Sequence, residues 1–507
     1  MAKHIKSFSI VSLGTLTSRI LGMIRDILMA SSFGASLILD SFLLAFMIPN
    51  LFRKFFGEGA ISAAFLPVFT DVLENEGEKK AEELANTVLT ILGTILGTIV
   101  VLGFIISYFW PIIFPTSEKA QLALKLLQVM MPYLFFICMT AFLSSILNSL
   151  QHFFMPTLAP IILNICWLSA ILAIPFLGKD KTIWAYAMAG AISLSGIIQY
   201  LLQIPILRKK NIHIQALWNP YHPHLKRILI NFLPILVSAT IVQLNMLLDL
   251  VVAWCLIPGH GAVSIMYMGN RLMQFPLALI GISLATVAFP IFARHVVRKE
   301  KHKFGEAVTN TLQISLMLTI PAAVGLICLA QPIIRLLYLY NRFTEEAALR
   351  TTNVLIAYSL GIPLFVFIQI LSKAFYSLED TKTPTKIALG ALFCNLTLNL
   401  LLVPYYQELG LAIATSITSL GNAATLFFLL HKKIPLYRRK LLKTSCITIG
   451  NTFIMLCAVL ITQYFLPTND TIYTRLLQVI VPITVGIVTY GICQYITTFR
   501  HRNILAL

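Results

Sequence analysis

The stretch TSRILGMIRDIL, residues 17–28, sets Ser18, Arg19, Arg25 and Asp26 inside an otherwise apolar run. A charge near the centre of a bilayer costs from about 2.5 to more than 10 kcal/mol, depending on how it is measured. Such residues are therefore candidates for function. Asp40, Arg53, Lys54, Glu58, Asp249, Arg271 and Lys373 interrupt other apolar runs in the same way. Arginine is the informative choice, because its guanidinium stays charged and its fork matches two phosphate oxygens, whereas lysine acts as a point charge. Arg19, Arg25, Arg53 and Arg271, with Ser18 on the helix face of Arg25, suit a multiply anionic head group such as a pyrophosphate. A site for cationic drugs would want carboxylates instead, and a cation-coupled antiporter of small amphipathic molecules is the alternative. Helical neighbours lie about 100° apart, so Arg25 is not expected to face Asp26 squarely. Arg19 and Asp26 share a second face. Ion pairing that only holds helices together is the plainer reading, and it weighs most for Asp26 and Glu58.

These residues need elements to carry them. The chain has 507 residues, 58% apolar and 11% charged, with a mean hydropathy of +0.84. A soluble chain is roughly 25% charged. Apolar runs of about 20 residues, enough to cross a hydrocarbon core, recur from end to end. Fourteen spans are expected, near 7–32, 37–68, 84–110, 121–149, 157–177, 182–206, 226–256, 262–292, 306–330, 347–377, 385–403, 409–430, 442–465 and 474–497. The first is read as a retained helix rather than a signal peptide, because it holds charges and no small-residue cleavage site follows it. If the N-terminus is cytoplasmic, that side holds 24 of the 38 lysines and arginines and the other side 8, with six within the spans. The positive-inside bias then places both termini in the cytoplasm. The net charge of +18 does not indicate nucleic acid, because the basic residues sit between spans rather than along one face. The eight cysteines form no CxxC pair and are read as small buried hydrophobes. No Walker loop, HExxH or GxSxG is present, so an enzyme is not indicated. Energy for transport must come from an ion gradient, the membrane potential or substrate flow.

The chain also repeats. MIRDILMASSFG (23–34) matches MLLDLVVAWCLIPG (246–259), with Asp26 over Asp249 at an offset of 223. Ser41 lies over Ser264 and LPVF (66–69) over FPIF (289–292) at the same offset; SLQHFFMPT (149–157) resembles SLEDTKTPT (377–385) at an offset of 228. The expected fold is an all-α polytopic membrane protein of about 14 transmembrane helices. Two pseudo-twofold-related six-helix lobes, residues 1–215 and 216–432, precede two C-terminal helices within 433–507. An even repeat makes the halves parallel, and substrate sites in repeat-built transporters lie where the halves meet.

The segment TSRILGMIRDILMASSFGAS…LDSFLLAFMIPNLFRKFFGEGAISAAFLPVF (17–69) resembles the start of the MurJ (MviN) lipid II flippases. NRLMQFPLALIGISLATVAFPIF (270–292) resembles the eighth span of the same family, and PNLFRKFFGEGA is its specific part. The resemblance covers essentially the whole chain. It implies a flippase of the bacterial cytoplasmic (inner) membrane that moves undecaprenyl-pyrophosphate-linked peptidoglycan precursor (lipid II) outward by alternating access. Lipid II, membrane lipids and cell-wall synthesis proteins are the partners it implies. Arg19, Arg25, Arg53 and Arg271 match the family's cavity arginines. Asp40 and Glu58 match acidic positions that form gates with them, and 442–465 and 474–497 would supply a groove for the polyprenyl tail. Some relatives bind sodium, at positions that here are Asp249, Asn395, Asn399 and Thr415. Asn399 stands where a relative carries a carboxylate, leaving one charge fewer, and interhelical hydrogen bonding is the other reading of these residues. A scaffold for cell-wall enzymes is a third reading, and it would need no cavity arginines.

Overall fold

A computed structural model describes residues 2–57, 60–467, 469 and 471–505. Glu58 lies outside the described residues. Among them there is no strand. Ten helices among the described residues are long and apolar enough to cross a membrane. The chain divides into two compact units, Met1–Leu247 and Leu248–Leu507.

The first unit holds α1 (Ala2–Phe33), α2 (Leu37–Gly57), α3 (Ala60–Asn75), α4 (Glu78–Ile113), α5 (Glu118–Ser149), α6 (Phe154–Leu172) and α7 (Lys181–Lys209). The unit boundary falls within α8 (Leu225–Leu256). Gly34 ends α1 at φ 65°, a left-handed conformation that glycine adopts without a Cβ clash, and its N–H returns to the Ala30 carbonyl. That tight stop lets α2 begin three residues later. α5 is the centre of the unit: 72% of its apolar window is buried, against 17% for α4. It packs on α2, α4 and α7, while α6 lies between α1 and α7.

The second unit holds α9 (Ala262–Pro276), α10 (Ser283–Val297), α11 (Lys301–Cys328), α12 (Ala330–Tyr338), α13 (Glu345–Ser377), α14 (Lys382–Lys433), α15 (Arg438–Phe465) and α16 (Ile472–Leu505). A π-helical turn, Leu277–Ile282, joins α9 to α10 directly after Pro276. Proline lacks the N–H that an α-helix needs, and the wider turn absorbs the loss. Gly281 within it admits α13, since a Cβ there would meet Gln369 Oε1 and Val366 Cγ2 at 2.9 Å. The expected spans 385–403 and 409–430 are the two arms of α14, broken at Gln407, whose φ of 51° and ψ of −132° are not helical. Just outside the helices, burial would raise the Asp380 carboxyl, but hydrogen bonds from Lys433 and Thr383 outweigh it and hold the group at about 2.

The cysteines depart from expectation. Cys138 is buried, but Cys255, Cys394 and Cys446 are exposed and the others intermediate. A small apolar side chain is equally at home on a lipid-facing surface, so apolar context alone does not imply the interior.

Candidate functional site

Candidate residues gather in a polar cluster in each unit. In the first, Arg25 is 6% exposed and Asp26 fully buried. Arg25 Nε and Nη2 donate to Asp26 Oδ1 at 3.0 and 2.7 Å. Neighbours on a helix thus do pair, against the expectation from their 100° separation. That angle describes where the Cα–Cβ bonds point, and the long arginine stem carries the guanidinium back round the helix.

The third guanidinium arm leaves α1 altogether. Nη1 donates to Asn164 Oδ1 of α6 at 3.0 Å. Asn164 Nδ2 in turn donates to the Ser18 carbonyl at 3.0 Å and to Ser18 Oγ at 3.3 Å. Ser18 and Arg25 do share a face, and Asn164 reads both. The guanidinium also lies over the ring of the fully buried Trp167, its carbon 4.2 Å from the centroid. Phe42 and Phe46 of α2 meet Trp167 edge-on, with centroids 5.3 and 4.9 Å away. An arginine stacked on an aromatic face and hydrogen-bonded in its plane is fixed in position and orientation. Asn164 and Trp167 were not singled out from the sequence; neither bears a charge.

Asp40 is also fully buried on α2. Arg53 is half-buried and donates through Nε to Asn50 Oδ1 at 3.0 Å. Lys54 Nζ lies 3.8 Å from Met246 Sδ of α8. Arg19 is exposed on α1. Ser18, Arg25 and Asp26 are joined in one cluster through Asn164.

In the second unit, Asp249, Asn395, Asn399 and Thr415 converge. Asn399 Nδ2 donates to Asp249 Oδ1 at 2.6 Å and to Asn395 Oδ1 at 3.0 Å. Thr415 Oγ1 donates to Asp249 Oδ2 at 3.2 Å, and Asn395 Nδ2 to Thr415 Oγ1 at 3.3 Å. Asn399 Oδ1 is buried with no hydrogen-bond partner among the described residues. One carboxylate, amide and hydroxyl oxygens and an unused buried acceptor match the oxygen donors that hard cations take. The set fits sodium. Elsewhere in this unit, Arg271 is half-buried on α9, and Lys373 Nζ lies 5.2 Å from the Phe289 ring centroid.

Apolar helices of spanning length define a multi-pass membrane protein, and guanidinium and carboxylate groups buried on the helices beside them mark it as a transporter. The family model of the lipid II flippase MurJ matches residues 29–481, and the chain belongs to that family. A probable lipid II flippase MurJ of Buchnera aphidicola is 36% identical over 436 residues, covering 85% of this chain and 83% of its own. The lipid II flippase MurJ of Burkholderia cenocepacia is 32% identical over 429 residues, covering 83% and 82%. A solved structure of lipid II flippase MurJ, in an inward closed conformation, superposes with a TM-score of 0.80 at 28% identity, over 98% of this chain and 99% of that one. An inward-facing multidrug resistance MATE transporter shares the fold, with a TM-score of 0.70 at 16% identity over 84% and 96% of the two chains.

Proposed function

We propose that this chain carries lipid II from the cytoplasmic to the periplasmic leaflet by alternating access, its arginines binding the pyrophosphate. The observation that carries the reading is the Arg25 cluster. A guanidinium with every nitrogen satisfied and its face stacked on Trp167 is a costly arrangement inside an apolar bundle, and anion recognition is the chemistry it serves. Arg19, Arg53, Arg271 and Ser18 complete the binding set. Arg25 joins it by exchanging the Asp26 carboxylate for phosphate oxygens, which makes Asp26 its resting partner. Asp40 and Glu58 act as gating carboxylates, and α15 and α16 accept the polyprenyl tail. Sodium at Asp249, Asn395, Asn399 and Thr415 supplies the coupling charge. Cell-wall synthesis proteins are the further partners.

Binding to undecaprenyl pyrophosphate tests the substrate class. The purified chain should hold it more tightly than undecaprenyl monophosphate, roughly tenfold for each charge-assisted hydrogen bond gained. Equal affinity for the two lipids would contradict pyrophosphate recognition.

The orientation belongs to the same proposal: fourteen spans, both termini in the cytoplasm of a bacterium, in its cytoplasmic (inner) membrane. Single cysteines introduced at 179–181 and 467–470 into a chain stripped of its own cysteines should label from the periplasm, and at 300–303 only after permeabilisation. Reversed labelling at any of these loops would overturn it.

A further inference from the structure

The sequence repeat carries more than landmarks. At the offset of 223, Asp26, Met29, Ala30 and Ser41 fall on Asp249, Val252, Ala253 and Ser264, and all eight residues are buried. At the offset of 228, Asn164, Trp167 and Ile171 of α6 fall on Leu392, Asn395 and Asn399 of α14, and these six are buried too. Each unit therefore carries a buried carboxylate, Asp26 on α1 and Asp249 on α8, and three buried residues at matching positions of a later helix, of which Asn164 meets Arg25 and Asn399 meets Asp249.

What differs is the chemistry around the carboxylate. The position that gives Arg25 in the first unit gives Leu248 in the second. Asn164, which accepts from that guanidinium, becomes Leu392, and Trp167, which stacks on it, becomes Asn395. Ile171 becomes Asn399, whose Nδ2 donates to Asp249 and whose Oδ1 is left over. Where one unit spends residues on holding a guanidinium, the other removes it and supplies amide oxygens. A buried carboxylate without a counter-charge is expensive, so the two solutions answer one electrostatic demand.

We infer that the two clusters are copies of one cation site, in which Arg25 is the tethered counterpart of an exchangeable monovalent cation. The first half carries its cation covalently, and the second takes one from solution. This rests on the sodium reading given above for Asp249. It adds that cation dependence enters the protein through the second half only, with one cation per chain. It also identifies Asn164, Trp167 and Ile171 as the residues that make the first site an arginine site rather than a sodium site.

The test is thermal unfolding of the purified full chain in detergent, with sodium chloride against choline chloride at equal ionic strength. In the parent, sodium should raise Tm in a saturable way, by roughly 2–4 °C. Asp249→Asn should abolish the response, and the parent curves alone judge the sodium reading. The inference itself is read in the Asp249→Asn background. There the transplant Arg25→Leu/Asn164→Leu/Trp167→Asn/Ile171→Asn should restore a sodium-specific shift, and adding Asp26→Asn should remove it again. A folded transplant indifferent to sodium overturns the inference. The reverse exchange, Leu248→Arg with Asn395→Trp, covers the case of a transplant that does not fold. It should raise Tm in choline above the parent and erase any sodium response; no rise in choline likewise overturns the inference.

Discussion

Replacing Arg25, Arg53 and Arg271 together by lysine is expected to lower lipid II transport by at least roughly 100-fold, with the chain still present in the membrane. Charge is preserved in this variant, so a purely coulombic site would keep most of its activity. What goes is the planar fork. Arg25 uses three nitrogens at once, two on Asp26 and one on Asn164, and lays its plane over Trp167. An ammonium has one nitrogen and no plane. Each hydrogen bond lost to a charged group is worth about 1.5–3 kcal/mol, or roughly 10- to 100-fold in a rate or affinity. The measurement is transport by the triple variant and by each single variant at matched expression. Near-normal transport by the triple variant would leave attraction of charge as the whole story and remove the fork from it.

The second large effect concerns folding rather than transport. Asp26→Ala removes the fully buried carboxylate that takes two of the Arg25 hydrogen bonds. Breaking a buried pair from one side typically costs about 3–5 kcal/mol, whereas replacing both partners with apolar residues is often close to neutral. Asp26→Ala should therefore unfold at markedly lower temperature and accumulate poorly. Arg25→Leu/Asp26→Ala should recover most of the lost stability while remaining inactive. Thermal unfolding in detergent distinguishes these cases. A single variant as stable as its parent would mean that the pair carries no such weight.

Much of this was legible in the sequence, for identifiable reasons. An intramembrane charge is a strong signal because the bilayer makes it costly, so Arg25, Asp26, Arg53, Asp249 and Arg271 could be picked out without coordinates. The quartet Asp249, Asn395, Asn399 and Thr415 came from family resemblance, and its members do meet. Other features resisted. The π turn after Pro276 and the break at Gln407 are backbone events with little trace in hydropathy. Pairing of Arg25 with Asp26 was misjudged by reasoning from helical phase alone, which ignores side-chain length. Asn164 and Trp167 are an uncharged amide and an aromatic among many apolar residues. Their one sequence signal was the offset of 228, which places Trp167 on Asn395 of the expected sodium quartet.

The most direct measurement is the amount of lipid II exposed on the outer leaflet of bacterial cells depleted of their own flippase and expressing this chain. The parent chain should restore exposure and growth, and the Arg25/Arg53/Arg271→Lys variant should restore neither at equal membrane abundance. A parent chain that reaches the membrane in normal amount yet leaves lipid II confined to the inner leaflet would contradict the assignment of this site to lipid II transport.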